Sequence, residues 1–161
     1  HAENSGGIAV MTPWDDLDFA LLRALSQDAT QSAGSLGRFL GLSQPATWRR
    51  IKRLQEAGVL AGRRIDLDAE ALGFGVTVFL GVKLATKGRV SLEDFERAVT
   101  AIPEVQTVQH VLGLYDYRLR VVARDISDFE RVLRRRIMAL PGVGDVEANV
   151  LLSEERLSGP L

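Results

Sequence analysis

The chain has 161 residues, enough for one ordinary domain or two small ones, and its 46% apolar content can fill a buried core. A charged fraction of 25% with a formal net charge of -1 excludes wholesale disorder and a uniformly basic nucleic-acid binder. The absence of cysteine excludes a disulfide framework and a thiolate zinc site, and no apolar run has the length of a membrane span.

His1 to Val10 are small and polar and Met11 resembles a native start, so residues 1–13 read as a tag remnant or disordered tail. No charged segment followed by an apolar stretch opens the chain, and a cytoplasmic protein is the expectation. From Trp14 to Leu25, Leu17, Ala20, Leu21, Ala24 and Leu25 recur at helical spacing, with Asp15, Asp16 and Asp18 in the first turn. A second helix is predicted over 32–40 with Leu36, Phe39 and Leu40 inward, stopped by Gly41. Gly41-Leu42-Ser43 then forms a tight turn: the glycine tolerates left-handed dihedrals, Leu42 plugs the core and Ser43 caps the next helix. That helix tolerates Pro45 in its first turn, buries Thr47, Ile51 and Leu54, and ends at Gly58. Three helices so spaced make a winged-helix-like head over 14–58.

Charge is distributed unevenly. Between residues 35 and 64, Arg38, Arg49, Arg50, Lys52, Arg53, Arg63 and Arg64 face Glu56 alone, so a neutral protein carries a local basic patch. Residues 59–74 read as a hinge: an extended strand over Val59 to Asp66, a short helical turn to Leu72, then Gly73 and Gly75.

An internal repeat follows. Asp94-Phe95-Glu96-Arg97 recurs as Asp128-Phe129-Glu130-Arg131, and Ile102-Pro103-Glu104-Val105 as Leu140-Pro141-Gly142-Val143. Each copy is strand, helix, strand, with strands over 76–85, 105–112, 117–123 and 143–152 and helices over 92–101 and 127–139. Two copies give βαββαβ, a ferredoxin-like domain over 75–153, with 154–161 as a tail. The first strand places Val76, Val78, Leu80, Val82 and Leu84 on one alternation and Phe79 and Gly81 on the other. A sheet buried on both faces, the second by a partner subunit, is therefore expected. The fold class is α+β.

LDFALLRALSQDA at 17–29, LGLSQPATWRRIKRLQEAGVL at 40–60, LGLYDYRLRV at 112–121 and ALPGV at 139–143 resemble the Lrp/AsnC family of transcription regulators. The resemblance spans 14–153. It implies a homodimer that assembles further, often to an octamer, binding double-stranded promoter DNA through the helix-turn-helix. It also implies an amino-acid effector held between dimers near the Gly-x-Tyr-Asp-Tyr turn. Many members have a polar residue where this chain has Leu114.

On the recognition helix, Ser43 and Gln44 lie at the end that meets base edges. Trp48 has two readings: contact with a thymine methyl or sugar edge, or packing on the neighbouring helix. Arg49, Lys52 and Arg53 are expected at DNA, whereas Arg50 can form an intradomain ion pair. Arg38, Arg63 and Arg64 flank the helix as phosphate clamps. Leu112, Gly113, Leu114, Tyr115, Asp116 and Tyr117 are either a hairpin turn with core tyrosines or an amino-acid site in which Asp116 addresses the ligand. His110 is either structural or part of that pocket. Arg134-Arg135-Arg136 is a solvated or interface face, or a contact for wrapped DNA, and Glu154 to Arg156 form a solvated edge.

No phosphate-binding loop, His-Glu-x-x-His or dinucleotide fingerprint is present, so an enzyme, a cofactor and a metal are not expected. Two alternatives remain: an architectural DNA binder with no small-molecule response, and an amino-acid sensor whose head docks on protein.

Overall fold

The computed structural model describes residues 12–85 and 88–157; residues 1–11 of the tail assigned to 1–13, and the final 158–161, lie outside them. The chain divides into two compact units, residues 1–65 with 156–161 and residues 66–155. The division falls within the expected hinge.

The first unit holds α1 (Asp16–Gln27), α2 (Ala33–Leu40) and α3 (Gln44–Glu56). Each begins at a residue whose side chain accepts an otherwise orphan backbone N–H: Asp15 from Asp18, Ser32 from Ser35, Ser43 from Ala46. Asp15 and Asp18 form a reciprocal capping box, because the Asp18 carboxylate also accepts the Asp15 N–H at 3.1 Å. Leu21, Ala24 and Leu25 of α1 pack with Leu36, Ile51 and Leu54 to form the core. Phe39, expected inward, is 75% exposed; Leu36 occupies the core and Leu40 packs partly against it. The α2–α3 turn has Gly41 at φ 70° and is closed by the Leu42 N–H donating to the Gly37 carbonyl at 2.8 Å. Among the described residues, 59–66 pair with no strand, and an extended segment needs a neighbour's N–H and C=O groups to become one. The short helical turn ahead of Gly73 forms as expected, with Leu72 N–H to Asp68 O and Asp68 capping Ala71.

The second unit runs β1 (Val76–Leu84), α4 (Arg89–Val99), β2 (Val105–His110), β3 (Tyr117–Ala123), α5 (Ile126–Val132) and β4 (Val143–Val150). The sheet order is β2-β3-β1-β4, antiparallel throughout, the split βαββαβ arrangement. The helix after β3 changes character: Leu133–Ile137 is a π-helical turn continuing α5.

Period-two alternation sets the inner face. Val78, Leu80, Val82 and Leu84 of β1 and Tyr117, Leu119, Val121 and Ala123 of β3 form one core with Phe95, Val99, Phe129, Val132 and Ile137. The opposite row of β1 is of mixed character. Thr77, Phe79, Gly81 and Lys83 are half-buried, and their neighbours across the ladder include Arg118, Arg120, Glu147 and Asn149. The Arg120 guanidinium lies 5.9 Å over Phe79. Polar side chains from the flanking strands therefore dilute the apolar alternation seen in β1 alone.

Candidate nucleic-acid interface and effector turn

The recognition helix α3 is held from two sides. Thr47, Ile51 and Leu54 bury its inward face. On the α2 side, Gly37 permits close approach: a methyl there would sit 2.7 Å from the Leu42 carbonyl oxygen and 2.8 Å from Thr47 Oγ1. Thr47 Oγ1 donates back to the Ser43 carbonyl at 2.9 Å, which satisfies the buried hydroxyl.

On the α1 side the fastening is ionic. Arg50 donates to both Asp15 oxygens at 2.7 and 2.8 Å and to Asp18 at 2.9 Å. Arg53 donates to the other Asp18 oxygen at 2.5 Å and lies 5.4 Å over the Trp14 ring. The Asp18 side chain is fully buried and each of its oxygens receives a guanidinium. The Arg50 guanidinium, with the Asp18 N–H, holds the Asp15 carboxyl below the ordinary carboxylate range. In return Asp15, then Asp18, raises Arg50. The alternative of an intradomain ion pair is therefore the one Arg50 takes. Arg53, expected at DNA, shares that anchor. The signal in the sequence was matched spacing: Asp15 and Asp18 are three apart on one helix, Arg50 and Arg53 three apart on another.

The remaining side chains of α3 define an open face. Gln44, Trp48, Arg49 and Lys52 are all exposed. Arg49 pairs with no described carboxylate, and Lys52 reaches Glu56 only at 3.9 Å. Trp48 does not pack into the helical core; it is 54% exposed and Lys52 Nζ lies 5.1 Å over its ring. Ser43 is committed to the cap, accepting from Ala46 at 3.3 Å, and the Gln44 amide lies near Gly34 of α2. Arg38, in the last turn of α2, and Arg63 and Arg64 beyond α3 are exposed, and Arg63 lines a pocket with Trp14, Phe19 and Leu22 on the α1 side.

In the second unit the β2–β3 turn puts Leu112 and Leu114 fully or largely in solvent, with open space around Gly113. Asp116 is structural at one end: its N–H donates to the Val82 carbonyl at 2.9 Å and its carboxylate accepts the Leu84 N–H at 2.8 Å. Tyr115 lies against Gly81, where a methyl would meet its ring at 2.8 Å. A hydrogen bond to Glu147 raises its phenol pKa. Tyr117 is buried in the core; its hydroxyl donates to Glu96 at 2.5 Å, and burial followed by that carboxylate raises its pKa. His110 stacks on Tyr117 at 4.7 Å between ring centroids. Of the three consecutive arginines on the π-helical turn, Arg134 pairs with Glu130 and Arg136 with Glu104 at 3.0 Å. Among the described residues there is no metal-ligand cluster and no helix long and apolar enough to cross a membrane.

A helical head with an open basic and aromatic recognition face, linked in sequence to a split βαββαβ unit, defines a two-domain DNA-binding regulator. Residues 15–61 match the "Winged helix-turn-helix DNA-binding" family and residues 77–161 the "Lrp/AsnC ligand binding domain" family. The proline dehydrogenase transcriptional activator of Rhizobium radiobacter is 34% identical over 90% of this chain and 93% of its own length. An AsnC family regulator of Agrobacterium tumefaciens superposes with TM-score 0.82 at 32% identity, covering 89% of this chain and 94% of that one. A Neisseria meningitidis regulator solved in complex with L-Met gives TM-score 0.85 at 26% identity, covering 92% and 96%. The chain belongs to the Lrp/AsnC family of DNA-binding transcription regulators.

Proposed function

We propose that α3 reads double-stranded promoter DNA through Gln44, Trp48, Arg49 and Lys52, and that an amino acid at the β2–β3 turn modulates this binding in a homo-oligomer. The observation that carries the DNA reading is the division of α3: Arg50 and Arg53 are anchored to α1, while the opposite charges and the indole have no such anchor. Ser43 orients the helix N-terminus, and Arg38, Arg63 and Arg64 serve phosphates on either side. The protein acts in the cytoplasm and carries out no catalytic step.

The effector reading is supported by the exposed Leu112 and Leu114 and by the L-Met complex of the Neisseria relative. Linkage supplies the mechanism: an effector that binds one assembly state more tightly shifts the spacing of paired recognition helices, and DNA affinity changes by the same coupling free energy. Titration of a selected duplex at several salt concentrations tests the DNA reading. Arg49→Ala and Lys52→Ala should each weaken binding and flatten the log–log salt slope by about 0.9. Calorimetry and mass measurement with a panel of amino acids test the effector. No heat, no change of mass and no change in promoter binding with any of them would leave an architectural DNA binder.

A further inference from the structure

Trp48 is an aromatic that the head leaves half in water. It sits one turn after Gln44 and next to Arg49, in the N-terminal half of α3, the part of this motif that meets base edges. The core positions of α3 are filled by Thr47, Ile51 and Leu54, so the indole adds nothing to the buried face. Leaving an indole exposed forgoes apolar burial that a polar residue would not require. Lys52, with Nζ 5.1 Å from the ring centroid, steadies the indole through a cation–π contact.

The surrounding side chains divide the chemistry. Gln44 offers an amide suited to adenine, and Arg49 a donor fork suited to guanine. Trp48 offers chiefly an apolar surface. In the major groove the apolar group that a base pair presents is the C5-methyl of thymine. We infer that Trp48 is a specificity-determining residue that recognises a thymine methyl, with Lys52 bracing its ring. This rests on the DNA reading of α3 proposed above.

The test uses the full chain and a duplex selected from a random library. Each thymine of the site is replaced in turn by deoxyuridine, which removes the methyl group alone. At one thymine position of a half-site the wild type should lose about fourfold in affinity, the worth of one buried methyl. Trp48→Ala should bind the original duplex more weakly and be indifferent to that same replacement. The inference is overturned if Trp48→Ala keeps the full penalty, if no replacement affects the wild type, or if Trp48→Ala weakens all sequences equally. Arg49→Ala separates the two levels. If it and Trp48→Ala both bind as wild type, the DNA reading itself fails. If Arg49→Ala weakens binding while Trp48 shows no coupling to any methyl, only the present inference fails. Trp48→Ala truncates an exposed side chain and opens no cavity, and circular dichroism with the remaining Trp14 fluorescence verifies its fold.

Discussion

Replacing Gly37 by alanine tests how closely the helix-turn-helix is drawn together. The added methyl would lie 2.7 Å from the Leu42 carbonyl oxygen and 2.8 Å from Thr47 Oγ1. Neither obstacle moves freely: Leu42 is held by its N–H bond to the Gly37 carbonyl, and the Thr47 hydroxyl is buried and bonded to Ser43. Relief requires α2 and α3 to separate by roughly 0.6 Å to restore ordinary van der Waals distance. Overpacking of this kind costs about 1–3 kcal/mol, while alanine in place of glycine in a helix returns about 1 kcal/mol. The net expectation is a head destabilised by about 0–2 kcal/mol, with none of the gain that alanine brings at an open helical site. Gly34, in the same helix, is the control, because its methyl would meet nothing nearer than 3.6 Å. Gly34→Ala should stabilise the head by about 0.5 kcal/mol. The chain's two tryptophans, Trp14 and Trp48, both lie in the head, so tryptophan fluorescence during urea unfolding follows that unit specifically. The reasoning is refuted if Gly37→Ala raises the midpoint as much as Gly34→Ala does.

Asp18→Ala removes the shared acceptor of Arg50 and Arg53 and half of the capping box. Because both guanidiniums keep partial access to water, the loss should be about 2 kcal/mol by the same fluorescence assay rather than the larger cost of orphaning fully buried charges. Glu96→Ala leaves the buried Tyr117 hydroxyl without its acceptor and should cost the second unit about 1–2 kcal/mol; Tyr117→Phe in the same background should recover most of it in thermal unfolding followed by circular dichroism. Asp128 is held down to about 2, first by the Arg124 side chain. Its folded pKa lies below the unfolded value of 3.8, so its stabilisation is complete above that value and is lost as pH falls through about 2. Asp128→Asn should therefore flatten acid unfolding curves between about pH 4 and pH 2, and an unchanged curve would contradict the pairing.

Much of the fold was legible because local rules and the global arrangement agree. Ser43 and Pro45 mark the start of α3, Gly41 its turn, and the Asp-Phe-Glu-Arg repeat marks both helices of the βαββαβ unit. Helix ends in the second unit were less legible, since fraying and the π-helical turn at Leu133–Ile137 leave no periodic signal. Phe39 lies near the apolar stripe by its three- or four-residue spacing, yet Leu36, with Leu40 in part, fills the α1–α3 core from α2 and leaves Phe39 outside. The pairing of Arg53 with Asp18 was not legible, because charge on a recognition helix has no address until the carboxylates of another helix are placed.

By itself, the sequence determined the order of elements, the positions of caps and turns, and the recognition helix, since these depend on neighbours within a turn or a strand. Only the tertiary structure decided which of the helix's cations remain available. Asp15 and Asp18 lie more than thirty residues before Arg50 and Arg53 and meet them only when α1 packs on α3. The same holds for Gly81 and Tyr115 and for Glu96 and Tyr117, whose contacts arise from sheet register and helix docking. Periodicity reports which face of an element is apolar; pairing between distant side chains is set by the packing of those faces against one another.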